Sequence, residues 1–297
     1  MSDATRPIRG ADRKADPGLR AKRRAHRRVA APSVTALGGL LLAAGASAKD
    51  DVVPEHPMMS DRFFVGVGVA WVQSNVTANL NTGRIGLGTI IDFEDDVGLK
   101  KTNALGMFDF RMHLSERWVL DAEYFSLNRD GEKEISHTID WGNLNIPLNA
   151  AVHGSFNMRD TRVSVGYAFF RRKDKEIGFG VGAHVMSLDA ALSTRNLGSE
   201  GASQSAPLPV LTMYAQVALT NRWLLRVRVD RLSLDTGEVD GSIFSSGTDF
   251  VYQPWRHFGL GLGYRDINMQ VSSTSERWRG KAQIRHTGPY LFVSSTF

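Results

Sequence analysis

Ten ionisable side chains sit at alternate positions inside short apolar stretches, and any chemistry of this chain has to be sought there first. Asp109, Arg111 and His113 alternate with Phe108, Phe110 and Met112, and Asp121 and Glu123 with Leu120, Ala122 and Tyr124. Arg162 precedes Val163, His184 precedes Val185, and Arg226, Arg228 and Asp230 alternate with Leu225, Val227 and Val229. A period of two places the charges of each strand on one face and the apolar residues on the other. If the apolar face meets lipid, the charged face must line an interior, because Arg or Lys on the lipid side near the midplane costs about 2–4 kcal/mol. Such a lining could conduct small solutes along a narrow path of mixed charge, or pair internally and hold the barrel shut. A barrel of about eight strands is just filled by its side chains, and ten leave slightly more room. Glycines share the charged face (Gly66, Gly68, Gly178, Gly180, Gly182, Gly259, Gly261, Gly263). They either open a pore or admit large neighbours such as Arg226 and Arg228. They lie within strands with no following helix, which excludes a phosphate-cradling loop.

Other chemistry is less well marked. Asp92, Glu94, Asp95 and Asp96 are an acidic cluster that could hold a divalent cation, such as one bridging lipopolysaccharide phosphates. The cluster lacks the central Gly and final Glu of an EF-hand, and a solvated acidic loop is the plainer reading. His137, His153 and His286 lie near the expected outer rim, with Asp130, Asp140 and Ser136 close in sequence, as a rim hydrolase would require. Their spacing matches no signature, so no catalytic residue is assigned and no cofactor is expected. Arg171, Arg172, Lys173 and Lys175 read as a solvated turn. The chain has no cysteine, which excludes disulfides, thiolate metal sites and a lipoprotein anchor.

The elements that position the charged set are strands. Alternation begins at residue 61, and Phe63, Val65, Val67, Val69 and Trp71 share the first apolar face. Nine more alternating segments follow, the eighth (about 242–253) weakly patterned and the tenth running to Phe297. The expectation is an all-β, transmembrane, antiparallel up-and-down β-barrel of ten strands over 61–297. Eight or twelve remain alternatives, since 129–151 has room for a further hairpin. Short turns near 115–117, 171–175, 220–222 and 254–256 alternate with long connections near 81–101, 129–150, 195–208, 235–241 and 272–280. That asymmetry puts both ends of the barrel chain on the periplasmic side. With this orientation Phe63, Trp118, Phe169, Trp223, Phe258 and Phe297 fall at one interface, and Trp71, Tyr124 and Tyr264 at the other, as aromatic girdles should. A soluble barrel or sandwich is the rival architecture.

The chain ends support the membrane reading. Residues 20–28 are basic, 29–44 apolar, and Ala46-Ser47-Ala48 supplies a small-residue exit, so 1–48 read as a signal peptide with a long basic lead for the general secretory route. Residues 49–60 follow as a periplasmic N-terminal segment. The whole chain is +5, with 36 basic and 31 acidic residues, but 1–48 carry ten of the former and three of the latter. The remainder is therefore near −2, which removes the case for a nucleic-acid partner. Phe297 closes the apolar face of the last strand, as the assembly signal of outer-membrane barrels does. Together the terminal Phe297, the alternating strands and the signal peptide resemble the small outer-membrane β-barrels of Gram-negative bacteria, the class that includes the outer-membrane protein A and W types. IDFEDDVGL (91–99) and APLPVL (206–211) resemble an uncharacterised group within that class. The resemblance implies outer-membrane lipid, lipopolysaccharide and the barrel-assembly machinery as partners. It implies no particular activity and leaves the oligomeric state open. Three functions stay in view: a structural envelope component or narrow passive channel with a charged lumen, a rim hydrolase acting on lipid or peptide, and loop-mediated adhesion or ligand binding.

Overall fold

The computed structural model describes residues 54–81, 89–235, 239–274 and 279–297. The expected signal peptide, 1–48, lies outside the described residues. A four-residue helix, α1 (Pro57–Ser60), precedes β1 (Phe63–Asn81), β2 (Ile91–Asp92), β3 (Thr102–His113), β4 (Trp118–Glu134), β5 (Ile139–Trp141), β6 (Leu144–Ile146) and β7 (Ala151–Arg171). Then come β8 (Lys175–Thr194), β9 (Gly198–Ala218), β10 (Trp223–Asp235), β11 (Val239–Trp255), β12 (Phe258–Thr274) and β13 (Arg279–Thr296). Ten of these (β1, β3, β4 and β7 to β13) form one antiparallel sheet in chain order, and β13 pairs back onto β1 from Thr296↔Phe64 to Arg279↔Asn81. The sheet is thus a closed up-and-down barrel of ten strands. The weakly patterned eighth segment is a full strand, β11. The room at 129–150 does hold a hairpin, β5–β6, but as a separate two-stranded sheet.

At the end of the barrel that carries Phe63 and Phe297, two turns are built alike. Leu114 and Ser115 both donate their N–H to the Trp118 carbonyl (2.8 and 3.3 Å), as Leu219 and Thr220 do to Trp223 (2.8 and 3.2 Å). Each hydroxyl at the second position accepts from the indole residue's backbone N–H. A short polar turn of this kind fixes strand register at the cost of few residues. Residues 55–61 lie across the same end: Lys173 and Arg256, from two different turns, lie 3.9 Å from Glu55 and Asp61, and the backbone of Arg222, in a third, lies beside the His56 ring. Met58 and Met59 of α1 are buried, and Arg171 holds the Met59 carbonyl at 2.9 Å. The N-terminal segment is therefore a cork in that mouth.

The strands run to 21 residues, about twice the 9–11 that a tilted strand needs to cross a bilayer. Their chemistry changes sides halfway. In β4 the outward residues Trp118, Leu120, Ala122 and Tyr124 give way to Ser126, Asn128 and Asp130, while the inward Asp121 and Glu123 give way to Phe125 and Leu127. In β12 outward Leu260, Leu262 and Tyr264 give way to Asp266, Asn268 and Gln270, and Ile267 and Met269 turn inward. β7 and β8 do the same: inward Phe156, Met158 and Met186 face outward Asn157, Arg159 and Ser187. The near half is polar inside and apolar outside; the far half is the reverse. This inversion explains why 129–134, 198–208 and 272–274 are strand where long connections were expected: the apolar outer face ends there, but the pleat does not.

The far half has an apolar core. Ile91, Phe93, Val97 and Leu99 are buried, and Phe93 packs edge-on to Trp141 (5.7 Å) and against Phe156 (5.9 Å). A Cβ at Gly154 would lie 2.2 Å from the Val97 side chain, and one at Gly131 would lie 2.6 Å from the Gly98 carbonyl. Only glycine lets the 97–99 segment settle this deep against β4 and β7.

Candidate functional site: an ion-pair belt across the lumen

All ten charged residues singled out from the sequence are buried in the near half of the barrel, and the structure brings them together. Arg226 on β10 donates to Asp249 on β11 (2.6 Å) and to Asp109 on β3. In the ring of ten, β3 and β10 are five strands apart, so the Arg226–Asp109 contact spans the diameter of the barrel. Arg228 on β10 and Arg265 on β12 converge from one side on Glu123 of β4. Arg228 also lies 3.3 Å from Asp230. Arg162 grips Asp230 with two parallel bonds of 2.8 Å, the fork geometry that makes guanidinium–carboxylate pairs strong. Thr212 donates to the same carboxylate (2.6 Å), and His184 bridges Asp160 (2.9 Å) and Asp230 (3.8 Å). Nearer the cork, Arg111 meets Glu176 (2.9 Å) and Asp121 (3.4 Å), and His113 lies 3.6 Å from Glu176.

Three of the eight glycines singled out, Gly178, Gly261 and Gly263, admit aromatic rings and not arginines, as does Gly166; Gly68, Gly180 and Gly182 lie against the backbone of the neighbouring strand. Cβ atoms at Gly261 and Gly263 would collide with the rings of Phe292 and Tyr290, and those at Gly166 and Gly178 with the ring of Tyr214. A bare strand lets a ring from a nearby strand lie flat over it. The flattened ring then offers its face to a guanidinium: Arg111 sits 4.7 Å from the Tyr214 centroid and Arg265 5.3 Å from that of Tyr290. The Tyr290 hydroxyl donates to Asp249. At Gly178 and Gly263, glycine, ring and arginine form one device that fills the space the missing side chain leaves.

Asp160, Glu176, Asp249 and Arg265 belong to the belt and were missed from sequence. Each has the inward parity of its strand, and that parity was the available signal. The acidic cluster folds into a turn of its own. Asp92 accepts from the backbone of Glu94 (3.0 Å) and Asp95 (2.8 Å), and Asp96 accepts from Asp92 N–H (2.8 Å). Glu94 points inward, accepts from Val76 N–H (2.8 Å) and pairs with Arg129; burial pushes its carboxyl up in spite of that partner. Asp95 pairs at the surface with Lys101 (2.7 Å), which holds the lysine's pKa up. Among the described residues no group of three or more metal-ligating side chains gathers. The three histidines of the hydrolase reading are apart: His137 and His153 are exposed, whereas His286 is buried between Ser74 (2.9 Å) and the Met158 sulfur (3.1 Å).

No protein-family model matches the chain, and no curated protein matches it in sequence. Among solved structures it is similar to the outer-membrane protease OmpT of Escherichia coli, with a TM-score of 0.53 and 8% identity over 84% of this chain and 100% of that one. Matches to the attachment invasion locus protein Ail of Yersinia pestis (TM-score 0.33, 11% identity, 78% and 99% covered) and to the outer-membrane protein OprG of Pseudomonas aeruginosa (0.33, 11%, 83% and 99%) are more distant. At these identities the likeness is one of fold. The chain has the fold of the outer-membrane β-barrels.

Proposed function

We infer that this chain is an integral barrel of the bacterial outer membrane whose lumen is closed, a structural component of the envelope and not a passive channel. The apolar outer face of the near half, rimmed by Trp118, Trp223 and Phe258 at one edge and Trp71, Tyr124 and Tyr264 at the other, suits a bilayer. Outer-membrane lipid surrounds that band, and the polar-shelled far half stands outside it, beside lipopolysaccharide. The observation that carries the reading is the Arg226–Asp109 pair across the diameter, flanked by Arg228 and Arg265 on Glu123. A water path would have to break it. Among the described residues His137, His153 and His286, on which the hydrolase reading rested, do not come together. Single-channel recording of the refolded chain in a planar bilayer tests the proposal. Silence from protein shown to be folded by heat-modifiable mobility is expected; reproducible unitary steps would overturn it.

A further inference from the structure

Beyond the belt, the far half holds a partly open cavity of about 170 Å3 between Val76, Phe156, Met186, Leu188, Met269 and Ile284. It begins about five residues past the outer aromatic rim: Val76 follows Trp71, and Met269 follows Tyr264. Its size compares with the roughly 150 Å3 apolar cavity that stays dry and takes up benzene in an engineered core. Three polar side chains join an otherwise apolar lining: Trp141, whose indole N–H donates to the Glu200 carbonyl at 3.2 Å, Gln204 and Ser273. A sugar, nucleotide or amino acid carries more donors and acceptors than these few groups can meet, and each one left unpaired would cost free energy. One wall is also less firmly held than the rest. The β9–β10 ladder ends at Leu211↔Arg231, whereas β9 stays paired with β8 up to Gly198. Pro207 and Pro209, which have no N–H to donate, lie just beyond that last rung. Leu208, between them, lines the cavity.

We propose that this chamber is a binding site for one uncharged hydrocarbon group of about single-ring size, taken from the outer side of the barrel. Its volume, its lining and its position on the far side of the ion-pair belt all suit such an occupant. The site stands independently of whether the lumen conducts.

Two sources share this chemistry, a free hydrocarbon and the acyl tail of a lipid. The test is toluene binding to the folded full chain in nanodiscs, read by NMR contacts from chamber methyls, with benzoate as the charged control. Ala190→Leu and Ala282→Leu fill the chamber from opposite walls, β8 and β13, and heat-modifiable mobility checks that each variant folds. Saturable toluene contacts, weakened at least tenfold by either substitution and absent for benzoate, are expected for a free hydrocarbon. Contacts to lipid acyl protons that vanish in the filled variants would assign the same site to a tail. Folded wild-type protein with neither contact, or toluene binding equal in wild type and filled variants, would overturn the proposal.

Discussion

Glu123→Ala distinguishes a dry belt from a hydrated one by its magnitude. Glu123 accepts from Arg228 and from both terminal nitrogens of Arg265. After truncation Arg228 keeps Asp230 at 3.3 Å, but Arg265 keeps only the Tyr290 hydroxyl at 3.3 Å and that residue's ring. One guanidinium is then stranded without a carboxylate. Breaking a buried pair by removing one partner costs about 3–5 kcal/mol, because the surviving charge stays desolvated. In a water-filled lumen the same change would cost only about 0.2–1 kcal/mol, and salt would mask part of it. Denaturant unfolding in lipid vesicles, followed by tryptophan fluorescence and gel mobility, measures the difference. The double variant Glu123→Leu/Arg265→Met should regain most of the loss, since neither charge is then left alone. A loss below about 1 kcal/mol for Glu123→Ala, or no recovery in the double variant, would refute the dry belt.

The cork should respond to acid. Burial lowers the His56 pKa to about 4, from 6.5 when unfolded. The corked state therefore binds fewer protons between those values, so its stability falls as pH drops through that window, by about 3 kcal/mol in all at 1.36 kcal/mol per unit. The protection factors of residues 55–61, taken against the intrinsic exchange rate at each pH, should fall from pH 7 to pH 4 while those of the strands hold, and His56→Gln should flatten the dependence. On β12, Leu262→Lys should destabilise the folded barrel in bilayers by about 2–4 kcal/mol and Asn268→Lys by under about 1, a contrast read in the same unfolding assay. Gly263→Val should displace the Tyr290 ring and cost about 1–3 kcal/mol or prevent folding, seen as lost heat-modifiable mobility.

Much of the barrel is written in a two-residue period, and the limits of that reading are physical. Tyr124 marks where it stopped in β4. Up to there, apolar and charged residues alternate with strong contrast; from Phe125 the alternation continues through Ser126, Leu127 and Asn128 with its sides exchanged. A single apolar outer face ends at the exchange, so the far-half strands carry the sequence pattern of loops. The belt was legible wherever its charges stood beside large apolar neighbours, as Arg226 and Arg228 do. Asp249 was hidden among Gly247, Thr248 and other small residues. Arg265 falls just past Tyr264, where the outer face changes character. The 91–99 segment has the composition of a solvated acidic loop, yet Phe93 and Val97 are core residues. Only the bare backbone of Gly131 and Gly154, distant in sequence, reveals the place they occupy.

The exchange of sides along each strand also gives the molecule a waterline. Moving outward along the membrane normal would lift the Leu262 and Val181 faces into water. Sinking would drag Asn268, Asp266 and Arg159 into hydrocarbon. Both displacements are uphill on β4, β7, β8 and β12 alike, so the pleat of the sheet itself sets the depth at which the barrel floats. A thicker bilayer would press first on the Ser126 and Asp266 tier, which makes this chain a gauge of the thickness of the membrane that holds it.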